Sequence, residues 1–393
     1  MKIFETDNDL FSYIRGVVDK NVPSLDEIFK SYEWERLTAY EVIDRLNHNE
    51  NILLLDARSE KEFDESRLPG ALSFPVLSTL ERHYVGLIYK KHSKQAAVWL
   101  AMKYADPKAE SLERFLNDNN ASTKQIIVYC WRGGGRSSYL AKMISDLGYS
   151  PAKMTGGFKV YRKLVFDFFE RPVLPFDLIE ISGLTGSGKT ELLKSVKEDF
   201  PVIDLELSAR HYSSLFGKVP YDNLGYEPVQ NQSAFENNIY SDIIRGIESV
   251  GNFHPKYLIE SESKKVGDFF IPSVLYHSMQ VCPTIKVESS IEARVKRIVK
   301  DYFGRDNRGI EPMLSIMTKN ERFLKEKLSK EVYENALALL KAGDTHAFTE
   351  VMMVQYYDKR YKAKDKTPIA VINTDSIRDA RLELLKVLNS NLV

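Results

Sequence analysis

The sequence predicts an α/β protein built from two domains, each with a mostly parallel sheet. Apolar runs of four or five residues alternate with helical stretches along most of the chain, the pattern of parallel strands joined by right-handed crossovers. Two glycine-rich loops each follow such a run and precede a helix. The length of 393 residues also exceeds what one domain usually holds, so two domains are expected.

The composition is that of an ordinary globular protein, with 43% hydrophobic and 28% charged residues. No apolar run approaches the roughly 20 residues needed to cross a bilayer, and the first residues lack a signal-peptide pattern, so no membrane partner is expected. Two cysteines, Cys130 and Cys282, are too few for a disulfide framework and predict a reducing, cytoplasmic location. The net charge of zero does not by itself indicate a nucleic-acid partner.

The N-terminal half alternates predicted helices and strands. A helix is expected over 37–46, and buried parallel strands over 52–56 and 126–129. A further helix is expected over 137–147, closed by Gly148. Residues 1–35 give weak signals and are interpreted as an N-terminal extension without an assigned role.

The second half begins after a connector that contains Pro172 and Pro175 among aromatic residues. Strands are predicted over 178–181, 202–205, 257–260, 284–287 and 369–372, a helix over 190–199, and a largely helical part over 320–360. The predicted organisation is an N-terminal extension (1–35), a first domain (36–165), a linker (166–177) and a second domain with a helical C-terminal part (178–393).

The first glycine-rich loop surrounds a cysteine. Cys130 follows a predicted strand, the position where open α/β sheets bind ligands. Glycines allow several backbone N–H groups to turn inward as an anion-binding nest, and the next helix directs its positive end there. A cysteine that only fills the core needs none of these features, so we predict a reactive thiolate. The predicted site comprises Cys130, Trp131, Arg132, Gly133, Gly134, Gly135, Arg136 and Ser137.

The second loop fits the Walker A pattern between a predicted strand and a predicted helix. Its backbone amides are expected to wrap a diphosphate, Lys189 to reach the terminal phosphate and Thr190 to ligate Mg²⁺. The pattern does not specify ATP. Glu260 and Glu262 end a later strand and are candidates for proton transfer or for binding metal-bound water, with a plain pair of surface acids as the alternative. The diphosphate-binding residues are Gly183, Gly186, Ser187, Gly188, Lys189 and Thr190.

Two basic clusters lie in the second half, over 294–308 and 359–366, the latter preceded by Tyr356 and Tyr357. Basic residues among tyrosines suit a nucleic-acid backbone with bases that stack. A solvated helix face explains the same composition, and composition alone favours it. The candidate nucleic-acid-binding residues are Arg294, Arg297, Lys300, Arg305, Lys359, Arg360 and Tyr361.

Short motifs around the cysteine loop resemble the rhodanese fold, namely Asp56-x-Arg58 and the turn Pro69-Gly70-Ala71. More specific motifs extend the resemblance to bacterial tRNA 2-selenouridine synthases, in which a rhodanese domain is fused to a P-loop domain. These are Glu81-Arg82 with Val85-Gly86 and Tyr89-Lys90, Cys130-Trp131-Arg132-Gly133-Gly134, Gly156-Gly157-Phe158-Lys159 with Tyr161-Arg162, and Tyr356-Tyr357-Asp358 with Tyr361.

The resemblance implies a rhodanese-like domain followed by a P-loop NTPase-like domain, and an enzyme acting on 2-thiouridine at the wobble position of tRNA. Geranyl diphosphate would alkylate the sulfur, and selenium from selenophosphate would then replace the geranylthio group. Lys189 would act in the first step, Cys130 and Arg136 in the second, and an enzyme that produces selenophosphate is an expected partner. On this resemblance the two basic clusters would bind tRNA phosphates. The resemblance does not fix the set of tRNAs or the oligomeric state.

Two other functions fit the same residues. Five residues separate Cys130 from Arg136, a loop length that cysteine-dependent phosphatases also use. A rhodanese-like phosphatase or sulfurtransferase fused to a small-molecule kinase is therefore an alternative, and the arginine-rich helix after strand 284–287 is typical of nucleotide kinases. A non-catalytic regulator with a nucleotide switch is the second alternative.

Overall fold

The computed structural model describes residues 3–17, 22–48, 51–250, 255–361 and 366–390, with side chains 247–250 left undescribed. The described chain divides into two compact units, 1–168 and 169–393. Residues 166–169, placed by the sequence in the linker, form the last turn of a helix that runs from Gly157 to Phe169. Among the described residues, no helix combines the length and apolar composition needed to cross a bilayer.

The first unit contains a five-stranded, entirely parallel sheet in the order β1-β5-β4-β2-β3. Its strands are β1 (Arg36–Leu37), β2 (Ile52–Asp56), β3 (Leu72–Ser73), β4 (Gln125–Tyr129) and β5 (Ala152–Met154). Its helices are α1 (Asp7–Val17), α2 (Leu25–Phe29), α3 (Ala39–His48), α4 (Glu60–Glu65), α5 (Thr79–Lys91), α6 (Lys94–Ala105), α7 (Ala109–Asp118), α8 (Gly135–Asp146) and α9 (Gly157–Phe169).

The central strands β2 and β4 are buried because each is a continuous apolar run, and their register pairs Asp56 with Tyr129. Both strands therefore end at the same edge of the sheet, where Cys130 follows. The helix predicted over 37–46 is observed two residues later as α3, because Leu37 lies in β1 and the capping box of Thr38 and Glu41 opens the helix.

The described part of the N-terminal extension, residues 3–17 and 22–35, packs into this unit, although no role was assigned to it from the sequence. Phe4, Leu10 and Ile14 are buried against α5 and α6, and the Phe4 N–H donates to the Tyr84 hydroxyl over 3.1 Å. The aromatic side chain of Phe29 on α2 contacts Tyr139 of α8 at 6.4 Å between ring centroids. This leading segment thus buries helix faces of the first unit that would otherwise meet solvent.

The second unit has a five-stranded parallel sheet in the order β12-β11-β6-β8-β7 and a two-stranded antiparallel ribbon of β9 and β10. Its strands are β6 (Asp177–Ser182), β7 (Val202–Ile203), β8 (Lys256–Glu260), β9 (Lys265–Val266), β10 (Phe269–Phe270), β11 (Thr284–Glu288) and β12 (Ala370–Asn373). Its helices are α10 (Lys189–Val196), α11 (Leu205–Ala209), α12 (Val219–Asn223), α13 (Gln232–Val250), α14 (Ser273–Val281), α15 (Ile291–Phe303), α16 (Ile310–Lys319), α17 (Glu321–Leu328), α18 (Lys330–Lys341), α19 (Thr345–Met352), α20 (Asp358–Arg360) and α21 (Ile377–Leu388).

Two cores stabilise the second unit. One lies between the sheet and helices α10 and α21. The other joins α15 to α19, where a π-helical turn (Met353–Tyr357) connects α19 to α20. The predicted strand over 202–205 is too long, because Asp204 caps α11 with its side chain and Leu205 already belongs to that helix.

A buried ion pair holds the strand ends of the first unit. Arg58 bonds to Asp56 over 2.6 Å and donates to the Ser66 carbonyl, and both side chains are at most 2% exposed. The Arg58 guanidinium also lies 3.9 Å from the centre of the Phe158 ring. One cation therefore fixes β2, the segment before β3 and the start of α9.

We expect Arg58→Met to destabilise the first unit by about 3–5 kcal/mol, because it leaves the Asp56 carboxylate buried without its partner. The solvent-exposed pair of Arg45 and Glu35 provides the control, and Arg45→Met should cost at most about 1 kcal/mol. Urea unfolding followed by tryptophan fluorescence reports this unit selectively, since Trp34, Trp99 and Trp131 all lie in it. Equal losses in the two variants would contradict the expectation.

Candidate active sites

The cysteine loop connects β4 to α8, and its thiol is turned inward. Cys130 is 3% exposed, and its S–H donates to the Ser137 hydroxyl over 3.3 Å. Ser137 in turn donates to the Gly134 carbonyl over 3.0 Å. The loop thus closes on itself around the sulfur before the helix begins at Gly135.

The Gly156-Gly157-Phe158 motif forms the back of this loop. Gly157 has a φ of +61°, and a Cβ added there would lie 2.1 Å from the Cys130 carbonyl oxygen. The Phe158 N–H donates to that same oxygen over 2.8 Å, and the Lys159 N–H to the Trp131 carbonyl over 3.0 Å. A side chain at position 157 would therefore push the cysteine out of place, which explains why the motif needs glycine.

The front of the loop is accessible. Within the described residues, the N–H groups of Trp131 to Gly134 donate to no backbone carbonyl, so they are available to an anion. Arg132 is exposed, and the Trp131 ring is 39% exposed beside Phe158. A small oxyanion can therefore reach the mouth of the loop, where Arg132 supplies a cation and Trp131 an indole, while the thiol itself is buried behind them.

Arg136 has a carboxylate partner of its own. Its guanidinium bonds to both oxygens of Glu62, at 2.6 and 3.3 Å, and Arg82 approaches the same carboxylate at 3.4 Å. Burial alone would raise the pKa of Glu62. The charge and hydrogen bonds of Arg136, together with Ser59 and Arg82, outweigh burial and lower this pKa to about 2. Glu62 therefore holds the Arg136 guanidinium beside the loop. The binding of the substrate anion by Arg136 stays a prediction.

The Walker A loop connects β6 to α10 in the second unit. Gly186 and Gly188 take positive φ values of 74° and 84° and are in contact with α15 and Arg297. The Lys189 ammonium donates to the Gly183 and Leu184 carbonyls over 2.9 and 3.2 Å. The Ser187 hydroxyl is buried and has no hydrogen-bond partner among the described residues. An unpartnered donor inside such a loop fits a phosphate oxygen.

Three carboxylates gather next to Thr190. The Thr190 hydroxyl lies 2.9 Å from Glu206 and 3.3 Å from Glu260, and ligand atoms of Glu206, Glu260 and Glu262 all lie within 4.8 Å of one another. The Glu206 N–H also donates to Glu260 over 2.8 Å. Hydroxyl and carboxylate oxygens are the ligands that Mg²⁺ prefers, so these residues fit a divalent cation at the end of the Walker A loop.

Burial and mutual repulsion make these acids hard to ionise. Burial and the charge of Glu262 raise the pKa of Glu206 to about 8, and burial with the charge of Glu260 does the same for Glu262. Burial and the charge of Glu206 raise the pKa of Glu260 well above its ordinary value. A cation with two positive charges would relieve this repulsion.

Glu206 was missed by sequence reasoning. It stands two residues after Asp204 in a short helix, and only the parallel pairing of β7 with β8 brings it beside Glu260. The sequence could have indicated Glu206, because acids that follow two strands of one parallel sheet come together at the carboxyl edge of that sheet.

Two of the predicted tRNA-binding arginines contact the Walker A loop instead of facing solvent. Arg294 is 4% exposed, donates to the Thr185 carbonyl over 2.9 Å and forms two bonds to Asp358. Arg297 donates to the Gly186 carbonyl over 3.3 Å and bonds to Glu191 over 2.9 Å. Both side chains fix the loop against α15.

The other predicted tRNA-binding residues lie at the surface. Lys300 is exposed beside Glu191, and Arg305 is exposed after α15. Arg360 is exposed and stacks over Tyr356, while the Tyr361 ring is 39% exposed. Lys359 is exposed as well, and residues 362–365 of the second basic cluster lie outside the described residues. Lys366, at its end, bonds to buried Glu180.

Comparison with known families identifies both units. Residues 38–164 match the rhodanese-like domain model, and residues 176–390 match the model of the tRNA 2-selenouridine synthase AAA domain.

Individual relatives carry the same description. A tRNA 2-selenouridine synthase of Pseudomonas syringae pv. tomato is 33% identical over 258 residues, which cover 64% of this chain and 66% of the relative. The synthase of Nitrosomonas europaea is 32% identical over 63% of each chain. The chain thus spans somewhat less than two thirds of these two relatives. The synthase of Ectopseudomonas mendocina is 28% identical over 85% of this chain and 92% of its own length.

Among solved structures, the N-terminal domain of a putative ATP/GTP binding protein from Clostridium difficile 630 is 27% identical, with a TM-score of 0.30. It covers 34% of this chain and 98% of its own.

We expect the metal-free protein to lose stability as the pH rises from about 4.5 to about 8. In that window Glu206 and Glu262 keep their protons in the folded state but not in the unfolded chain, so the folded state binds more protons. Calorimetry at pH 6 and pH 8 should show a lower Tm at pH 8, by about 2–4 °C for each kcal/mol lost. Glu206→Gln should flatten this dependence.

Glu227→Gln is the control, since Glu227 is exposed and outside the cluster, and it should keep the original pH dependence. A Tm that rises between pH 6 and pH 8 in the metal-free protein, or an equal slope in the Glu206 variant, would show that the cluster is not protonated as described.

Proposed function

The chain belongs to the tRNA 2-selenouridine synthase family, and we propose that it converts 2-thiouridine at the wobble position of tRNA into 2-selenouridine in two steps. The observation that carries the proposal is the presence of two different anion-binding loops in one chain. One surrounds a buried thiol with free backbone amides, and the other places Lys189 and Thr190 beside three carboxylates. Family membership supports the assignment of both loops to one conversion.

The first step is prenyl transfer at the Walker A loop. The sulfur of 2-thiouridine attacks C1 of geranyl diphosphate, the C1–O bond breaks, and diphosphate leaves with the electron pair while the base loses its N3 proton. Lys189, the Ser187 hydroxyl and the loop amides stabilise the charge that develops on the diphosphate. Thr190, Glu206, Glu260 and Glu262 would hold Mg²⁺, which supplies further positive charge at the leaving group.

The second step takes place at the cysteine loop. The selenium of selenophosphate attacks C2 of the modified base, the C2–S bond breaks, and geranylthiolate departs with the electron pair. Water then attacks phosphorus, the P–Se bond breaks, and phosphate and 2-selenouridine result, with no change of oxidation state. Arg132 and the amides of Trp131 to Gly134 would bind the phosphoryl oxygens, and Cys130 would hold the selenium end, with Arg136 fixed beside it by Glu62.

The order of the steps follows from leaving-group chemistry. A thiocarbonyl sulfur is a poor leaving group, and alkylation turns it into a thioether-like group that departs as a thiolate. The prenyl donor therefore activates the base, and selenium arrives afterwards. Two separate loops suit two anionic substrates that are used in sequence.

The surface residues Lys300, Arg305, Lys359 and Arg360 would bind tRNA phosphates, with Tyr361 available for stacking on a base. Arg294 and Arg297 are assigned to the loop instead, because their side chains are paired with Asp358 and Glu191. This division narrows the tRNA surface to the exposed members of the two basic clusters.

We expect Cys130→Ala to block selenation but not prenylation, so that S-geranyl-2-thiouridine accumulates in tRNA. Lys189→Ala should reduce prenyl transfer by roughly 100-fold or more, since it removes a charge from the leaving diphosphate. Cys282→Ala is the matched control, because Cys282 is also buried but lies at the end of α14, with its sulfur 3.7 Å from the Lys366 ammonium. Mass spectrometry of wobble nucleosides, after incubation with thiolated tRNA, geranyl diphosphate and selenophosphate, measures both products.

Two results would contradict this function. Loss of both products in a folded Cys130→Ala protein would show that the steps are not divided between the loops. Phosphorylation of a small acceptor by ATP, with thiolated tRNA left unchanged, would favour a kinase.

Charge reversal of the exposed basic residues should weaken tRNA binding. We expect Lys300→Glu with Arg305→Glu, and Lys359→Glu with Arg360→Glu, each to lower the affinity roughly tenfold at low salt and to reduce the salt dependence. Gel-shift titrations at several salt concentrations measure both quantities. Lys341→Glu, an exposed change outside both clusters, is the control, and an equal effect there would argue against a defined tRNA surface.

A further inference from the structure

An exposed tryptophan stands at the mouth of the cysteine loop. Trp131 directly follows Cys130 and is 39% exposed, whereas Trp34 and Trp99, the other two tryptophans of the chain, are more buried. Single apolar side chains at a protein surface are common, so the surroundings of this ring decide what it does.

The Trp131 ring is held in place by its neighbours. The Lys159 N–H donates to the Trp131 carbonyl over 3.0 Å, which ties this backbone to the first turn of α9. The Phe158 ring lies 5.8 Å from the indole and is 4% exposed, and the Arg58 guanidinium lies 3.9 Å from the centre of the Phe158 ring. A series of π contacts thus runs from a buried cation to the indole. The exposed part of the indole leaves room for another flat ring.

The cations around the loop are of two kinds. Arg136 and Arg82 share the carboxylate of Glu62. Arg132 and Lys159 are exposed, and neither side chain forms an ion pair within the part of the chain that the structure describes. Unpaired cations beside an exposed indole suit an anionic partner that also has flat rings, which is the chemistry of a single-stranded nucleic acid.

We infer that the Trp131 indole stacks on the wobble base of tRNA during selenation, while Lys159 binds a neighbouring phosphate. The inference rests on the proposed function and adds to its second step a base-binding residue in the first unit. Arg132 and the loop amides remain the site for the selenophosphate anion, so a base stacked on the indole is brought to the same mouth as the selenium. Stacking tolerates changes of the base, because every base has a π-face.

The test uses the full chain, tRNA that already carries S-geranyl-2-thiouridine, and free selenophosphate. Trp131→Leu should lower kcat/KM for this tRNA by roughly 5- to 150-fold, the range expected for one lost base–aromatic stack. Trp131→Phe should restore most of the rate, because a phenyl ring still stacks whereas leucine only fills space. The KM for selenophosphate and the rate of prenyl transfer from geranyl diphosphate should not change in either variant.

Fluorescence reports the stacking directly. Binding of the S-geranylated tRNA should quench the tryptophan emission of the unmodified protein more than that of Trp131→Phe, in which Trp34 and Trp99 are the remaining emitters. Equal quenching in the two proteins would contradict a base on the indole.

Two variants provide matched controls. Trp99→Leu removes an indole that packs against Tyr13 of the N-terminal extension, and it should leave the selenation rate unchanged. Lys163 lies one turn after Lys159 on α9 and is exposed, but it pairs with Asp167 over 2.6 Å. Lys159→Gln should weaken tRNA binding and reduce the slope of log affinity against log salt concentration by about 1, and Lys163→Gln should change neither.

Three outcomes would overturn the inference. An unchanged kcat/KM in Trp131→Leu, or a loss that Trp131→Phe does not restore, refutes the stacking assignment alone. A loss that occurs only when a selenophosphate-producing enzyme replaces the free compound would make the indole a contact for that protein instead. No selenation of S-geranylated tRNA by the unmodified protein refutes the proposed function, and the stacking assignment with it.

Discussion

The second unit depends on the position of one guanidinium. Arg294 binds the Thr185 carbonyl of the Walker A loop on one side and the Asp358 carboxylate on the other. The phosphate loop, α15 and the segment after the π-helical turn are therefore held together by a single buried cation.

The first unit uses the same principle with different elements. Arg58 pairs with Asp56 below the sheet edge and packs on Phe158, whose N–H binds the Cys130 carbonyl. In each unit a buried arginine that pairs with a carboxylate fixes the backbone of a glycine-rich loop. The amides of that loop can then face a ligand without having to support the fold.

Much of the fold could be predicted because its signals are local. The strands before both glycine-rich loops and the helices after them follow from apolar runs and glycine patterns within a dozen residues. The carboxylate Glu206 and the partner of Arg294 could not be predicted from such local signals, because both are brought to the site by chain segments that are distant in the sequence. Arg294 reads as part of a basic surface until Asp358, 64 residues later, is known to pair with it.

The π-helical turn of Met353–Tyr357 places one extra residue in the path of the chain between α19 and α20. Each residue of an ordinary helix advances its neighbours by about 100° around the axis. A chain one residue shorter at this point would be a better helix, yet it would carry the Asp358 carboxylate to another side of that helix. The irregular turn thus keeps the Asp358 carboxylate on the side of the helix that faces Arg294. A deletion that made the helix regular would break this ion pair.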